Sequence, residues 1–288
     1  MSSFFFNLLH LRHKFDFLLL FFLSHGSHVT GTSVGSEKFG IGVAPGAKWI
    51  AAKGCRDGQC LNYGLITSAQ WVLCPTRLDG SEPDCTKGAD VISNSWGGSG
   101  DDDWYMEFTT AWRDAGMIPV FSQGNSGPRC ETLGSPGDYD HVIGVAATDP
   151  YVSLAEFSSR GPGSGNPGFP VSKPDISAPG VDIRSASSMV GSSNNQLYSV
   201  YSGTSMACPH VTGTIALILS VNPSLTYAQV VDILGKTSNK AVNEPNNGRL
   251  GQGDNTCGGR LYNQLPSYHY GHGVVDAYQA VLAARSTI

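Results

Sequence analysis

The chain has 288 residues, 40% hydrophobic and only 14% charged, with a formal net charge of −5 and no long basic run. That length holds one large α/β domain or two small ones, and the apolar share supports a packed core. The charge balance gives no electrostatic case for nucleic acid, and 36 glycines with 16 prolines describe a scaffold of tight turns and close backbone approaches.

Residues 1–24 read MSSFFFNLLHLRHKFDFLLLFFLS. Two apolar runs are broken by Arg12, His13, Lys14 and Asp16. The second run, residues 17–23, is too short to span a bilayer. Three readings stay open for it. It has the character of a signal-peptide h-region, although no small-residue cleavage signature follows. It has the composition of a buried strand. It is also compatible with an alternative start of the reading frame. The sharpest composition break in the chain is at Ser24, which sets residues 1–24 apart from residues 25–288.

From Ser24 the chain runs Ser-His-Gly-Ser-His-Val-Thr-Gly-Thr-Ser-Val-Gly. A polar start followed by small residues predicts a helix that packs tightly on a neighbour. His25 stands at its start, facing a cleft, and His28 lies one turn behind. A lone histidine is most often structural, but close approach to a second active element suits a general base. Residues 48–53 read as a buried strand after a Gly-Pro turn. Residues 63–73 place Leu65, Ile66, Ala69, Val72 and Leu73 at helical spacing. Residues 74–88 read as an inserted loop. Residues 90–98 form a strand ending in small residues, and such an end can pair with an extended peptide by strand addition. Asp101, Asp102 and Asp103 lead into a helix over residues 104–115, where an acidic first turn suits the helix dipole.

Residues 118–122 form another strand, which opens onto Gln123, Gly124 and Asn125. An asparagine between glycines is usually a turn residue; in a cleft its amide can donate to an oxyanion. A further strand is expected over residues 141–145. This alternation predicts a mostly parallel sheet covered by helices on both faces. Loops at the carboxyl ends of the strands then form the site, and Gly97, Gly98 and Asn125 fall there.

Gly203-Thr204-Ser205-Met206-Ala207-Cys208-Pro209-His210 puts a serine at the start of an apolar helix, with Pro209 expected in the first turn, where its missing N–H is tolerated. Ser205 reads either as a helix cap or as a nucleophile whose developing negative charge faces free N–H groups. Further on, Thr226 and Gln229 have capping-box spacing and open a helix through Val230, Val231, Ile233 and Leu234. Residues 239–259 are a polar loop, and a last short helix ends near Arg285. His210 and His272 read as structural. The seven cysteines read as disulfides 55–60, 74–85 and 130–257 plus one buried thiol, Cys208, although connectivity is not fixed by sequence. This usage implies an oxidising compartment and hence secretion. No CxxC pair suggests a metal site.

Taken in order, six segments carry a resemblance: His-Gly-Ser-His-Val-Thr-Gly-Thr from His25; Ser95-Trp96-Gly97-Gly98; Gly124-Asn125-Ser126-Gly127; Phe157-Ser158-Ser159-Arg160-Gly161-Pro162; Lys173-Pro174-Asp175-Ile176-Ser177-Ala178-Pro179-Gly180; and Gly203 to His210. From about Ser24 to the C-terminus the chain resembles the subtilisin-like serine proteases, and residues 90–98 are most similar to their bacillopeptidase F branch. The resemblance implies a three-layer subtilisin-like α/β fold and a serine endopeptidase working through an acyl-enzyme. Ser205 then matches the nucleophile, His25 the general base, and Asn125 the side-chain oxyanion donor. Ser95, Trp96 and Gly97 match the edge that pairs with substrate, and Gly124 a wall of the pocket for the residue before the scissile bond.

The same resemblance implies an aspartate upstream of the histidine, at the end of the first core strand, in an Asp-Thr-Gly or Asp-Ser-Gly context. Nothing here matches it. Asp16, followed by Phe17 and Leu18, lacks the turn residues, so the role is not assigned to it. The first strand region is therefore expected to be truncated or replaced. The alternative function is a catalytically impaired relative that acts as a peptide-binding or regulatory protein. The implied partners are polypeptides, with no nucleic acid and no membrane span. No cofactor is implied; a structural calcium is common in such proteases, but no ligand set is identifiable.

Overall fold

The computed structural model describes residues 4–9, 24–36, 38, 40–55, 59–187, 197–247 and 253–287. Its elements in chain order are β1 (Phe4–Leu9), α1 (Ser24–Val34), β2 (Lys48–Lys53), α2 (Asn62–Leu73), β3 (Val91–Asn94), α3 (Met106–Asp114), β4 (Ile118–Ser122), β5 (Ile143–Thr148), β6 (Ile176–Pro179), β7 (Ile183–Ala186), β8 (Tyr198–Tyr201), α4 (Thr204–Val221), α5 (Tyr227–Thr237), β9 (Thr256–Cys257), β10 (Arg260–Leu261) and α6 (Ala277–Arg285).

Strands β3, β4 and β5 are buried throughout, as expected of a parallel sheet covered on both faces. Their side chains alternate between the two faces. Val91, Val120, Ile143 and Val145 join Ala207, Val211, Ile215 and Ile218 of α4, with α5 and α6 behind. Ile92 and Phe121 join Leu65 and Ala69 of α2 and Trp112 of α3. The result is three layers, as the sequence implied. The main sheet has six strands in the order β2-β1-β3-β4-β5-β6, with β3 to β6 parallel to one another.

The first strand region is replaced rather than missing. Phe4–Leu9, from the first apolar run, lies between β2 and β3 and is antiparallel to both. The second run, residues 17–23, lies outside the described residues. Strand β2, expected to be buried, is an edge strand with Trp49 half exposed. The helix expected from residue 104 starts at Met106, because residues 104–105 form a turn before it. The capping box of Thr226 and Gln229 is formed at the start of α5.

The three expected disulfides are present, Cys55–Cys60, Cys74–Cys85 and Cys130–Cys257, with Cys208 free and buried. Among the described residues one helix, Thr204–Val221, is long and apolar enough to cross a membrane. It is the core helix α4, packed on the sheet by Ala207, Val211, Ile215 and Ile218.

Candidate active site

The carboxyl ends of β3 and β4 and the amino end of α4 meet at one place. Ser205 opens α4 and keeps 9% of its surface exposed. Its hydroxyl donates to the carbonyl of Ser95 at 3.3 Å, and the Ser95 hydroxyl donates to the Ser205 carbonyl at 2.7 Å. This reciprocal pair has a cause in the sequence. In a helix the Ser205 carbonyl would accept the N–H four residues on, but that residue is Pro209, which has none. Pro209 therefore stands one full turn inside the helix, not in its first turn as expected, and Ser95 supplies the missing donor.

Asn125 follows β4 and is bound to the residue before Ser205. Its Oδ1 accepts from the Thr204 N–H and from the Thr204 hydroxyl, both at 2.9 Å. Accepting a backbone N–H requires the oxygen at that position, so the Nδ2 amino group must point the other way. Asn125 is exposed, and its Nδ2 makes no hydrogen bond among the described residues.

His25 lies in the first turn of α1, half-buried. α1 packs alongside α4 in the same direction. Val29 sits against Met206, and the Ser33 hydroxyl donates to the Pro209 carbonyl at 3.1 Å. His25 lies one turn before Val29 on α1. Small residues make the close packing of α1 possible. A Cβ on Gly31 would lie 2.5 Å from the Ser185 hydroxyl, and one on Gly213 would lie 3.1 Å from the Ser33 carbonyl. His28 is fully buried. Its Nε2 faces the carbonyls of Ile183 at 2.8 Å and Ser199 at 3.2 Å, which identifies Nε2 as the protonated nitrogen. Burial lowers its pKa, against the opposing pull of those two carbonyls.

The expected substrate edge follows β3. Trp96 is 7% exposed, with its ring edge-on to Tyr105 and Phe121. Its indole N–H donates to Asn94 Oδ1 at 3.2 Å. The indole is thus largely core, and the backbone of Ser95 to Gly97 is what this edge can offer a ligand.

Beside it lie two other backbone segments. Gly134 N–H donates to the Gln123 carbonyl at 3.0 Å, Gly98 N–H to the Ser135 carbonyl at 2.8 Å, and Ser135 N–H to the Ser99 carbonyl at 3.2 Å. Segment 134–135 therefore runs between 97–99 and 123–124. Glycines face one another across it. A Cβ on Gly134 would lie 2.8 Å from the Gly98 carbonyl, and one on Gly97 would lie 3.0 Å from the Ser135 carbonyl. Gly124, with a φ of +109°, has Ser159 Oγ 2.8 Å from its Cβ position.

Ser95 is thus bound to Ser205, and Asn125 to the adjacent Thr204, while His25 lies in the first turn of α1. Three contributors were not anticipated: Thr204 as the anchor of Asn125, the Ser95 hydroxyl as the partner of Ser205, and Gly134 between the two walls. The second had a signal in the sequence, since a proline four residues after Ser205 leaves a carbonyl to be satisfied. The upstream carboxylate has no counterpart in β1, whose sequence is FFFNLL. Asp16 lies outside the described residues. Among those residues no group of three or more His, Cys, Asp or Glu side chains could hold a metal ion.

A doubly covered parallel sheet, with a serine opening the core helix and an asparagine amide fixed beside it, defines a serine-hydrolase architecture of the subtilisin type. The subtilase family model matches residues 20–273, and the chain belongs to that family of serine peptidases. It is 40% identical over 272 residues to Bacillopeptidase F of Bacillus subtilis, covering 91% of this chain and 17% of that protein. It is 34% identical to Subtilisin E of the same organism, over 75% of this chain and 50% of that one. The chain thus spans about a sixth to a half of these relatives' lengths. Among solved structures, a protease from Pseudoalteromonas arctica superposes with a TM-score of 0.69 at 27% identity, over 90% of this chain and 70% of its own. Sphericase does so with 0.68 at 29% identity, over 88% and 77%.

Proposed function

We propose that the chain forms a serine endopeptidase domain, with β1 built into its sheet, that cleaves polypeptides through an acyl-enzyme. Ser205 Oγ attacks the scissile carbonyl carbon while His25 takes its proton. The oxyanion that forms accepts from Asn125 Nδ2 and the Ser205 N–H. Collapse breaks the carbon–nitrogen bond as His25 returns the proton to the leaving amine, and water repeats the sequence on the ester. The residues before the scissile bond lie along Ser95-Trp96-Gly97, and the first of their side chains enters between Gly97 and Gly124. The observation that carries this reading is the orientation of Asn125. With Oδ1 held by Thr204, the amide needs no reorganisation to donate, which is the condition for strong transition-state stabilisation. In subtilisin itself, a member of this family, loss of the corresponding donor costs ~100- to 1,000-fold in kcat. Three disulfides support an oxidising, secretory location.

A second reading rests on β1. A strand of sequence FFFNLL brings no acid to the part of the sheet where the family resemblance places one. In subtilisin, loss of the aspartate alone lowers kcat by ~3 × 10⁴. The chain would then bind extended peptides at the β3 edge with little turnover. A fluorophosphonate probe tests both. Covalent labelling of Ser205, slow and abolished in Ser205→Ala, is expected under the first reading. Folded protein with no adduct would leave only peptide binding.

A further inference from the structure

Asp138 has no part in acyl transfer, yet it joins the segment around Ser135 to the turn after the proposed substrate edge. It is 3% exposed. Its Oδ2 accepts from the Asp101 N–H at 2.9 Å and from the Ser135 hydroxyl at 2.9 Å. The Ser135 hydroxyl in turn accepts from the Asp102 N–H at 3.0 Å. The Ser135 carbonyl takes the Gly98 N–H, directly after the edge Ser95-Trp96-Gly97. One carboxylate therefore ties the floor segment to the turn that continues the substrate edge. That turn is strained: Asp101 is a non-glycine residue at a φ of 57°, a conformation that persists only when its surroundings hold it. The N–H of this same residue is what Asp138 binds. Tyr139, next in sequence, donates its hydroxyl to the Asp102 carbonyl at 2.5 Å, so the turn is gripped at adjacent residues.

We infer that Asp138 is a positioning residue for substrate binding: by holding Asp101 in the left-handed conformation it fixes the Trp96–Gly98 edge against Ser135, and so sets affinity for the acyl-side residues of the peptide. This rests on the reading of Ser95 to Gly97 as the substrate edge. Asp138 touches neither Ser205 nor Asn125, so its effect belongs in KM rather than kcat.

The test uses the full chain and three variants: Asp138→Ala, Asp138→Asn, which keeps an acceptor oxygen, and Asp138→Ala with Asp101→Gly, since glycine adopts positive φ freely. KM and kcat are measured on a peptide anilide. The Kd of an N-acetylated tetrapeptide acid is measured by calorimetry, which needs no turnover. Losing hydrogen bonds to a buried carboxylate should raise KM and Kd about tenfold in Asp138→Ala with kcat changed less than about twofold. Asp138→Asn should recover most of that loss, and so should the double variant. Faster amide exchange at Asp101 and Asp102 in Asp138→Ala should accompany it. A parent-like Kd in Asp138→Ala, a loss confined to kcat, or no rescue by Asp101→Gly would overturn the inference. If the parent binds the peptide but never cleaves it, acyl transfer fails as a reading, while the Kd and exchange results still decide the role of Asp138.

Discussion

The carbonyl of Ser205 is the acceptor that Pro209 cannot serve, and its bond from Ser95 is the consequence. Ser95→Ala should leave that buried carbonyl without a donor and destabilise the fold by about 1–3 kcal/mol. Pro209→Ala restores an N–H at the position that reaches the same carbonyl. The two substitutions should therefore be coupled: in the Ser95→Ala background, Pro209→Ala should recover part of the loss. Denaturant midpoints of the four proteins measure this directly, and strict additivity would show that the Ser95 hydroxyl does not stand in for the missing amide. At this scale the sequence pointed to the candidate residues and left out what holds them. Ser205, Asn125 and Gly124 were readable from small-residue contexts. Thr204 was not, because a threonine before a serine carries no local signal; its role is defined by a loop many residues away.

Among the elements, α1 and the β7–β8 hairpin are joined through His28. Its ring N–H faces one carbonyl from each strand of the hairpin, its backbone carbonyl accepts from the Ser185 hydroxyl at 2.8 Å, and its ring lies 4.7 Å from that of Tyr201. His28 thus pins the helix that carries His25. His28→Phe keeps the bulk and loses the donor, so it should lower stability by about 1–3 kcal/mol, whereas His28→Gln retains a donor and should lose less. Equal losses in denaturant titrations of the two variants would mean that volume, not the shared N–H, is what matters.

The helices and parallel strands were legible because apolar spacing and glycine punctuation set them locally. Two features were not. The direction of β1 depends on pairing with β2 and β3, which the run of phenylalanines and leucines does not encode. The late start of α3 depends on a turn at residues 104–105, which apolar spacing does not encode. Lys173 is intermediate. It belonged to a recognisable motif, but its burial and its bonds to the Val142 carbonyl at 2.8 Å and Asp175 at 2.5 Å emerge only in three dimensions.

Across the whole molecule, burial holds several imidazoles neutral. His28, His210, His269 and His272 all have pKa values lowered, in each case chiefly by desolvation. His269 is brought from 6.5 to about 4 by burial, with the adjacent Arg160 guanidinium adding to the shift and the Asp254 carbonyl opposing it. It is fully buried, with Nε2 2.8 Å from that carbonyl. Arg160, itself fully buried, donates to the same carbonyl at 2.8 Å, to Asn247 Oδ1 at 2.9 Å and to the Asn246 carbonyl at 3.2 Å. The Cys130–Cys257 disulfide closes the same region.

Protonating His269 would add a second buried cation beside the first. Because the folded pKa lies below the unfolded one, the stability contributed by the neutral ring is complete above about 6.5 and is lost as pH falls from there towards about 4. The contribution at stake is on the order of 3 kcal/mol. His269→Asn keeps an N–H for the Asp254 carbonyl and cannot titrate in this range. Its unfolding free energy should start below the parent's at pH 7 and fall less steeply between pH 6.5 and 4.5. Parallel pH profiles for the two proteins would place the acid sensitivity on His28, His210 and His272 instead.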